Sequence, residues 1–287
     1  MKAVTLLFSL FLWAGTQLSA QFTPFSPPAH LEQVVGNTKV IIDYDRPASR
    51  GRKIFGGLVP WNERWQTGAS GTRINFSRAV SFGGQAVPAG TYGLLVVPGP
   101  KEWTLLLNTN GDEFGFVEYD ETKNIAEVKV PAAKAGRFYD AFSIDLDISP
   151  ENARMYLSWT DVQVSVPIET RTEELAMAYI DSLLAAPLVK ISDPYFQAAR
   201  YLLFTRRGDE KAPDIIHQLQ RVDKGYYPYR MLMEAYVHLG QQVQALQTIE
   251  QGIEVTKREF AARPERLLSI LKYWEEERGK VEAMLRP

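Results

Sequence analysis

The sequence predicts an α+β protein of two domains, in which an antiparallel β-sandwich or a partly closed barrel precedes an α-helical repeat domain. Before about Ile168, glycine and proline are frequent and apolar residues alternate with polar ones, as in strands that bury one face. After Ile168, glycine and proline become rare and apolar residues recur every three or four positions, which is the period of an amphipathic helix. The change of period therefore marks a domain boundary.

Alternation of apolar and polar residues predicts the strands of the first domain. Val40, Ile42 and Tyr44 share one face of such a strand. Further strands are expected at 79–82, 85–87, 91–97, 103–107, 142–148, 155–159 and 162–168. Gly83 and Gly84 predict a tight hairpin turn, because glycine readily adopts the positive φ angles of such turns. Many short strands without intervening helices indicate a sandwich or a barrel, and the alternation leaves both open.

The second domain is predicted to be a short stack of helices. Six helices are expected, at 173–185, 194–206, 212–222, 229–239, 243–262 and 265–285. Two stretches align at an offset of 33 residues, which pairs Ala212 with Ala245 and Ile216 with Ile249. This spacing is typical of tetratricopeptide-like repeats, in which each helix pair buries its apolar face on the next pair. An unrelated helical bundle is the alternative interpretation.

The N-terminus predicts export. Lys2 precedes an apolar run at 4–14, and Ala20 provides a small residue before Gln21. This layout is typical of a cleavable signal peptide, with an uncleaved N-terminal anchor as the alternative. We therefore expect a signal peptide at 1–20, an all-β domain at 21–169, a helical domain at 172–287, and a periplasmic or secreted mature protein without an integral membrane span.

Composition excludes several kinds of chemistry. The chain has no cysteine, so disulfides, thiolate metal sites and a cysteine nucleophile are impossible. Its 32 basic and 34 acidic residues give a net charge of −2, which offers no electrostatic case for binding nucleic acid. The three histidines lack metal-ligand spacing, and no dinucleotide or phosphate-binding glycine motif is present. We therefore expect neither a metal nor an organic cofactor.

Carboxylates are the remaining groups that could catalyse hydrolysis without histidine. Asp43 and Asp45 project from the same strand face, and five carboxylates crowd the stretch 112–121. A glycosidase needs two carboxyl groups on opposite sides of the scissile bond, one of them with a raised pKa. The sequence shows neither condition, so solvated charges beside turns are the simpler interpretation.

The long connection from Tyr44 to Thr72 is the best candidate for a binding site. Four cationic residues fall between Arg46 and Lys53, and two tryptophans follow. Guanidinium groups bind carboxylate or phosphate in a bidentate manner, and indole rings offer stacking surfaces. The candidate ligand-binding residues are Tyr44, Arg46, Arg52, Trp61, Trp65 and Thr67. In a purely structural alternative, both tryptophans plug the open end of the sandwich while Arg46 and Arg52 pair with Asp43, Asp45 or Glu63.

The same segment carries a family resemblance. Its motif blocks are Y-D-R-P at 44–47, G-R-K-I-F-G-G-L-V-P-W at 51–61, W-Q-T-G-A at 65–69 and P-A-G-T-Y-G-L at 88–94. Over about residues 27–169, the chain resembles the family called domain of unknown function 2911, and the helical tail is not part of this resemblance. Gln66 and Ser70 stand where the family pattern has arginine and asparagine. The resemblance implies an exported β domain and no particular reaction.

Together these observations predict an exported, non-catalytic binding or scaffold protein of the cell envelope. The β domain would bind a small anionic or glycan-like ligand, and the helical repeat would bind a protein or peptide partner. The alternative is an envelope hydrolase that uses paired carboxylates, with glycans as substrates. Two carboxylates that face each other in the pocket would favour the enzyme, whereas arginines alone would favour binding.

Overall fold

The structure is a computed structural model that describes residues 24–110 and 119–286. The predicted signal peptide and the carboxylates at 112–118 lie outside the described residues. The chain divides into two compact units between Thr170 and Arg171, which we call the β unit and the helical unit. No helix in the described part is long and apolar enough to cross a membrane.

The β unit contains two antiparallel sheets. Its strands are β1 (Pro28–Val35), β2 (Thr38–Asp45), β3 (Thr72–Phe76), β4 (Val80–Phe82), β5 (Gln85–Val87), β6 (Gly90–Pro98), β7 (Glu102–Asn108), β8 (Asn124–Pro131), β9 (Ala133–Ile148) and β10 (Asn152–Thr170). One sheet has the order β1-β2-β3-β6-β7-β8 and the other β5-β4-β10-β9. The sheets do not close into a barrel, so the sandwich alternative is confirmed.

The core of the sandwich follows from the alternation of the strands. In β2, Val40, Ile42 and Tyr44 are buried, whereas the residues between them are partly exposed. Trp103 of β7 and Trp159 of β10 are at most 2% exposed and lie in the same apolar cluster. The β unit therefore holds together by burial of apolar side chains between its sheets.

The predicted hairpin is present between β4 and β5. Gly83 and Gly84 have φ angles of 58° and 88°, and Val80 pairs with Val87 across the turn. A β-carbon at Gly83 would lie 2.3 Å from a methyl carbon of Val128. Both the positive φ angle and this close contact therefore require glycine at position 83.

Strand β10 differs from the prediction, because the segments expected at 155–159 and 162–168 form one continuous strand. Its pairing with β9 shifts register between Ser158 and Val162, and Thr160 within that interval has a φ angle of 54°. The extra residues at this shift lie on β9, where the stretch 134–143 faces only the stretch 158–162 of β10. In β10, the left-handed backbone at Thr160 interrupts the alternation of buried residues, so the sequence pattern indicates two strands.

The helical unit has the six predicted helices. They are α1 (Thr172–Ala185), α2 (Asp193–Thr205), α3 (Ala212–Val222), α4 (Tyr227–His238), α5 (Gln242–Glu259) and α6 (Pro264–Met284). Ala212 and Ala245 are at most 1% exposed, and Ile216 and Ile249 are fully buried, so residues 33 positions apart have equivalent environments. This agreement is what stacked helix pairs require.

Candidate functional site

The segment after β2 covers the outer edge of β9. The Ser49 amide donates to the Asp140 carbonyl at 2.7 Å, and the Phe142 amide donates to the Pro47 carbonyl at 3.0 Å. Ala48 and Ala141 form an isolated antiparallel bridge between these bonds. A short stretch of the connection thus pairs with β9 as an additional strand would, which protects an otherwise open sheet edge.

Tyr44 and Arg46 continue this protection with their side chains. The Tyr44 hydroxyl donates to the Ile144 carbonyl and accepts from the Ile144 amide, both at 3.2 Å. Arg46 donates from Nε to the Phe142 carbonyl at 3.2 Å and from Nη2 to Ser143 Oγ at 2.7 Å. The two side chains therefore satisfy backbone groups on the edge of β9 that no strand pairs.

Arg52 has a different role within the same connection. Its Nε donates to the Ser49 carbonyl at 2.9 Å and its Nη2 donates to the Ala48 carbonyl at 2.8 Å. Among the described residues, neither Arg46 nor Arg52 forms an ion pair with a carboxylate. The pairing of these arginines with Asp43, Asp45 or Glu63, which belongs to the structural alternative, is therefore wrong, because Arg46 donates to the Phe142 carbonyl and the Ser143 hydroxyl and Arg52 donates to backbone carbonyls.

The two tryptophans of the connection pack onto the core. Trp65 stacks on Trp159 with ring centroids 5.7 Å apart, and Trp61 stacks on Phe55 at 6.0 Å. Both tryptophans are half-buried, and both contact the apolar cluster of the sandwich. A β-carbon at Gly56 would lie 2.2 Å from Nε1 of Trp61, so glycine is required where the indole crosses the chain.

Thr67 belongs to a constrained turn that seats Trp65. Thr67 is fully buried at a φ angle of 55°, which is unusual for a β-branched residue, and its hydroxyl donates to the Leu94 carbonyl at 2.8 Å. Trp65 Nε1 donates to the Gly68 carbonyl at 3.3 Å, and the Ser70 amide donates to Asp45 Oδ2 at 2.9 Å. Several contacts thus hold the strained residue in place.

A cavity of about 590 Å³ lies on the β9–β10 hairpin, beside the capped edge of β9. Of the six candidate residues, Tyr44 and Arg46 line this cavity, whereas Arg52, Trp61, Trp65 and Thr67 do not. Eight further side chains of the lining are polar or aromatic, namely Arg137, Tyr139, Ser143, Asp145, Asp147, Tyr156, Ser158 and Gln163. We refer to this depression as the hairpin cavity.

Cross-strand pairing assembles the wall of the hairpin cavity. Asp145 lies opposite Tyr156, and Ser143 lies opposite Ser158, so the side chains of each pair project from the same face. Gln163 follows the irregular residue Thr160 of β10 and reaches the same face, because its amide nitrogen donates to Ser158 Oγ at 2.8 Å. The cavity therefore depends on the register shift, which no sequence pattern indicated.

The charged groups of the cavity include both signs. Arg137 lies over Tyr139, with its guanidinium carbon 4.4 Å from the ring centroid. Asp145 and Asp147 project from one strand two residues apart, and Asp145 Oδ1 accepts the Leu146 amide at 2.9 Å. These carboxylates stand side by side, so they are not on opposite sides of the cavity.

The histidines occupy separate environments. His30 Nδ1 lies 2.7 Å from Asp43 Oδ1 on the exposed face of β1 and β2. His217 and His238 lie on α3 and α4 of the helical unit. In the described part of the chain, no three histidine, aspartate or glutamate side chains are grouped to hold a metal ion.

The helical unit has its own candidate surface, a row of rings and guanidinium groups across α2, α4 and α6. The Arg200 guanidinium carbon lies 5.7 Å from the Phe196 ring centroid, and Phe196 lies 5.8 Å from the Tyr227 ring. Arg230 continues the row, 5.7 Å from Tyr227 and 4.8 Å from Tyr273. Burial raises the pKa of Tyr273 to about 12, against the opposing effect of the nearby Arg230 charge. We call this row the aromatic–arginine ladder.

Comparison with known proteins concerns the β unit. The family model described as "Protein of unknown function (DUF2911)" matches residues 26–168, from just before β1 to near the end of β10. No curated protein and no solved structure is significantly similar to the chain. The match confirms the resemblance indicated by the motif blocks, and through its β unit the chain belongs to the DUF2911 family of proteins of unknown function.

Proposed function

We propose that the protein is an exported, non-catalytic binding protein whose β unit holds a small polar ligand in the hairpin cavity. The observation that carries this proposal is the lining of the cavity, where three phenol rings, two guanidinium groups and an amide surround a volume of about 590 Å³. That volume is within the range of ordinary ligand sites. Phenol rings beside such donors and acceptors suit a hydroxyl-rich or anionic molecule, as in a glycan fragment.

The carboxylates of the cavity favour binding over hydrolysis. Asp145 and Asp147 are alternate residues of β9, so their backbones are about 7 Å apart along one strand. A glycosidase needs its acid and its second carboxylate on opposite sides of the scissile bond. Two carboxylates in one row leave the opposite side of a bound sugar without a partner group. The envelope hydrolase therefore remains the second candidate, without a favouring observation.

A binding experiment with matched arginine variants tests the proposal. Purified chain beginning at Gln21 is titrated with chitin-type oligosaccharides and with uronic acid oligosaccharides, and binding is measured by calorimetry or ligand-observed NMR. We expect Arg137→Met to weaken binding about ten-fold, as for loss of one charge-assisted contact. Arg64→Met is the control, because the Arg64 guanidinium also lies over a tyrosine ring, at 3.8 Å from the Tyr119 centroid, but outside the cavity. Equal effects of the two variants would contradict the proposal.

Export is a separate part of the proposal and has its own test. The charged residue, apolar run and small residue before Gln21 support cleavage of a signal peptide. Intact-mass measurement of the protein from the extracytoplasmic fraction should give a chain that begins at Gln21. A mass that retains residues 1–20 would contradict cleavage.

We also propose that the helical unit binds a protein or peptide. The aromatic–arginine ladder supports this role, because Arg200 and Arg230 contact rings rather than carboxylates and Tyr227 is 38% exposed. Aromatic and arginine side chains are the groups most enriched at the energetic centres of interfaces. Arg230→Met should weaken the binding of a partner that is isolated with the wild-type protein. Arg266→Met removes a guanidinium over the Phe260 ring outside the ladder, and it should leave that binding unchanged.

A further inference from the structure

Four charged side chains line the hairpin cavity without neutralising one another. Arg46 and Arg137 are basic, and Asp145 and Asp147 are acidic. Within residues 24–110 and 119–286, none of the four forms an ion pair. Opposite charges that share a depression but stay apart keep their capacity to contact a ligand.

The charges are ordered along the cavity. Along β9, Arg137 comes first, then Ser143, and then Asp145 and Asp147. Arg46 is placed at the level of Ser143, because its Nη2 donates to the Ser143 hydroxyl at 2.7 Å. The wall therefore changes from basic to acidic along β9. Such an arrangement presents a guanidinium end and a carboxylate end to one bound molecule.

Each end has a chemically suitable companion group. At the basic end, Arg46 donates from Nε and Nη2 to β9, which fixes its guanidinium plane and leaves Nη1 without a partner among the described residues. At the acidic end, Asp145 lies opposite Tyr156, and a carboxylate beside an aromatic ring is suited to an ammonium group. Arg154 lies opposite Asp147, so Asp145 is the stronger ammonium ligand of the two.

We infer that the hairpin cavity binds a small zwitterion, with a carboxylate at Arg46 and Arg137 and an ammonium group between Asp145 and Tyr156. This inference rests on the proposed function, in which the cavity is a binding site. Ser143 and Asp145 are two residues apart, which corresponds to about 7 Å along a strand. The termini of an extended dipeptide are also about 7 Å apart. The ligand class is therefore a short peptide with free termini.

A series of small peptides tests whether the ligand needs both a free amino terminus and a free carboxylate. The chain beginning at Gln21 is titrated with alanyl-alanine, its N-acetyl derivative, its C-terminal amide, free alanine and tri-alanine, with affinities measured by ligand-observed NMR. We expect the dipeptide to bind at least about ten-fold more tightly than either blocked derivative, because each loses one charge-assisted contact. Free alanine should bind more weakly than the dipeptide, since its charges are too close together to reach both ends. Equal binding of the free and blocked dipeptides would overturn the inference.

Two variants locate the contacts by a crossed pattern. Asp145→Asn keeps the oxygen that accepts the Leu146 amide, and it should remove the preference for a free amino terminus while keeping that for a free carboxylate. Arg137→Met should remove the preference for a free carboxylate while keeping that for a free amino terminus. Arg64→Met should change neither preference. An equal loss for all ligands in both variants would overturn the assignment of the two ends.

The outcomes separate this inference from the proposed function. If oligosaccharides bind in an Arg137-dependent manner and the peptides do not, the proposed function stands and the zwitterion inference fails. If neither class binds, both fail. If the dipeptide binds with the crossed pattern, both are supported.

Discussion

Replacement of Tyr44 by phenylalanine removes one hydroxyl and tests how the edge of β9 is stabilised. The ring itself should stay in place, because it packs edge-on against Phe142 with centroids 5.8 Å apart. The lost hydroxyl serves both the amide and the carbonyl of Ile144 at 3.2 Å. A buried backbone group left without a partner costs about 1–3 kcal/mol, so we expect a loss of about 2 kcal/mol in the free energy of unfolding.

Urea unfolding followed by tryptophan fluorescence measures this loss, because four of the six tryptophans lie between residues 61 and 159 of the β unit. The thermal midpoint of that unit should fall by about 4–8 °C. Exchange of the Ile144 amide with solvent should accelerate, since its acceptor is gone. Tyr156→Phe is the control, because the Tyr156 hydroxyl has no hydrogen bond to the described residues, and we expect it to leave the unfolding midpoint unchanged. If both variants unfold at the same urea concentration as the wild type, the hydroxyl does not hold the edge strand.

Further predictions concern glycines and one tyrosine. Gly83→Ala should destabilise the β unit by about 1–3 kcal/mol more than Gly84→Ala in urea unfolding, because both adopt positive φ but only Gly83 meets a neighbouring methyl group. Gly252→Ala should lower the thermal midpoint of the helical unit, because its β-carbon would lie 2.5 Å from an indole carbon of the buried Trp274. Gly279 lies in open space on α6, so Gly279→Ala should raise the stability of that unit by up to about 1 kcal/mol. The raised pKa of Tyr273 implies a stabilising contribution that is complete below pH 10 and is lost as pH rises from 10 to about 12. The wild type should therefore lose stability relative to Tyr273→Phe over that range, and parallel pH profiles would contradict the burial argument.

The helical unit was predictable in detail, because the period of its apolar residues and the prolines at its helix starts indicate the same helix bounds. The predicted bounds of α3, Ala212–Val222, match those of the structure, and proline lies in the first turn of α2, α3, α4 and α6. In the β unit, β8 alternates with Ala126, Val128 and Val130 buried, so this pattern could have been identified from the sequence. Strand β1 has no such pattern, because as an edge strand it is mostly exposed.

The candidate site was predictable only in part, because clustering in sequence does not show where a side chain donates its hydrogen bonds. Tyr44 and Arg46 were identified and do line the hairpin cavity. Arg137, Asp145 and Tyr156 were missed, because in the sequence they are ordinary outward-facing residues of strands. They are brought together by the pairing of β9 with β10 and by the register shift in that pairing, and the sequence pattern of either strand alone shows neither.

The arginines show how a binding site can be distinguished from a structural cluster in this β unit. Arg52 already donates to two carbonyls of its own loop, so any ligand would have to replace bonds that exist in the free protein. Arg137 makes no hydrogen bond to the described residues and is held by the Tyr139 ring, so a ligand carboxylate gains its full set of donors without such a loss. Arg46 is intermediate between these two arginines. Its Nε and Nη2 donate within the protein and fix its orientation, and its Nη1 remains available to a ligand. Unused hydrogen-bonding capacity on a fixed side chain is therefore the better guide to the site than the density of charge in the sequence.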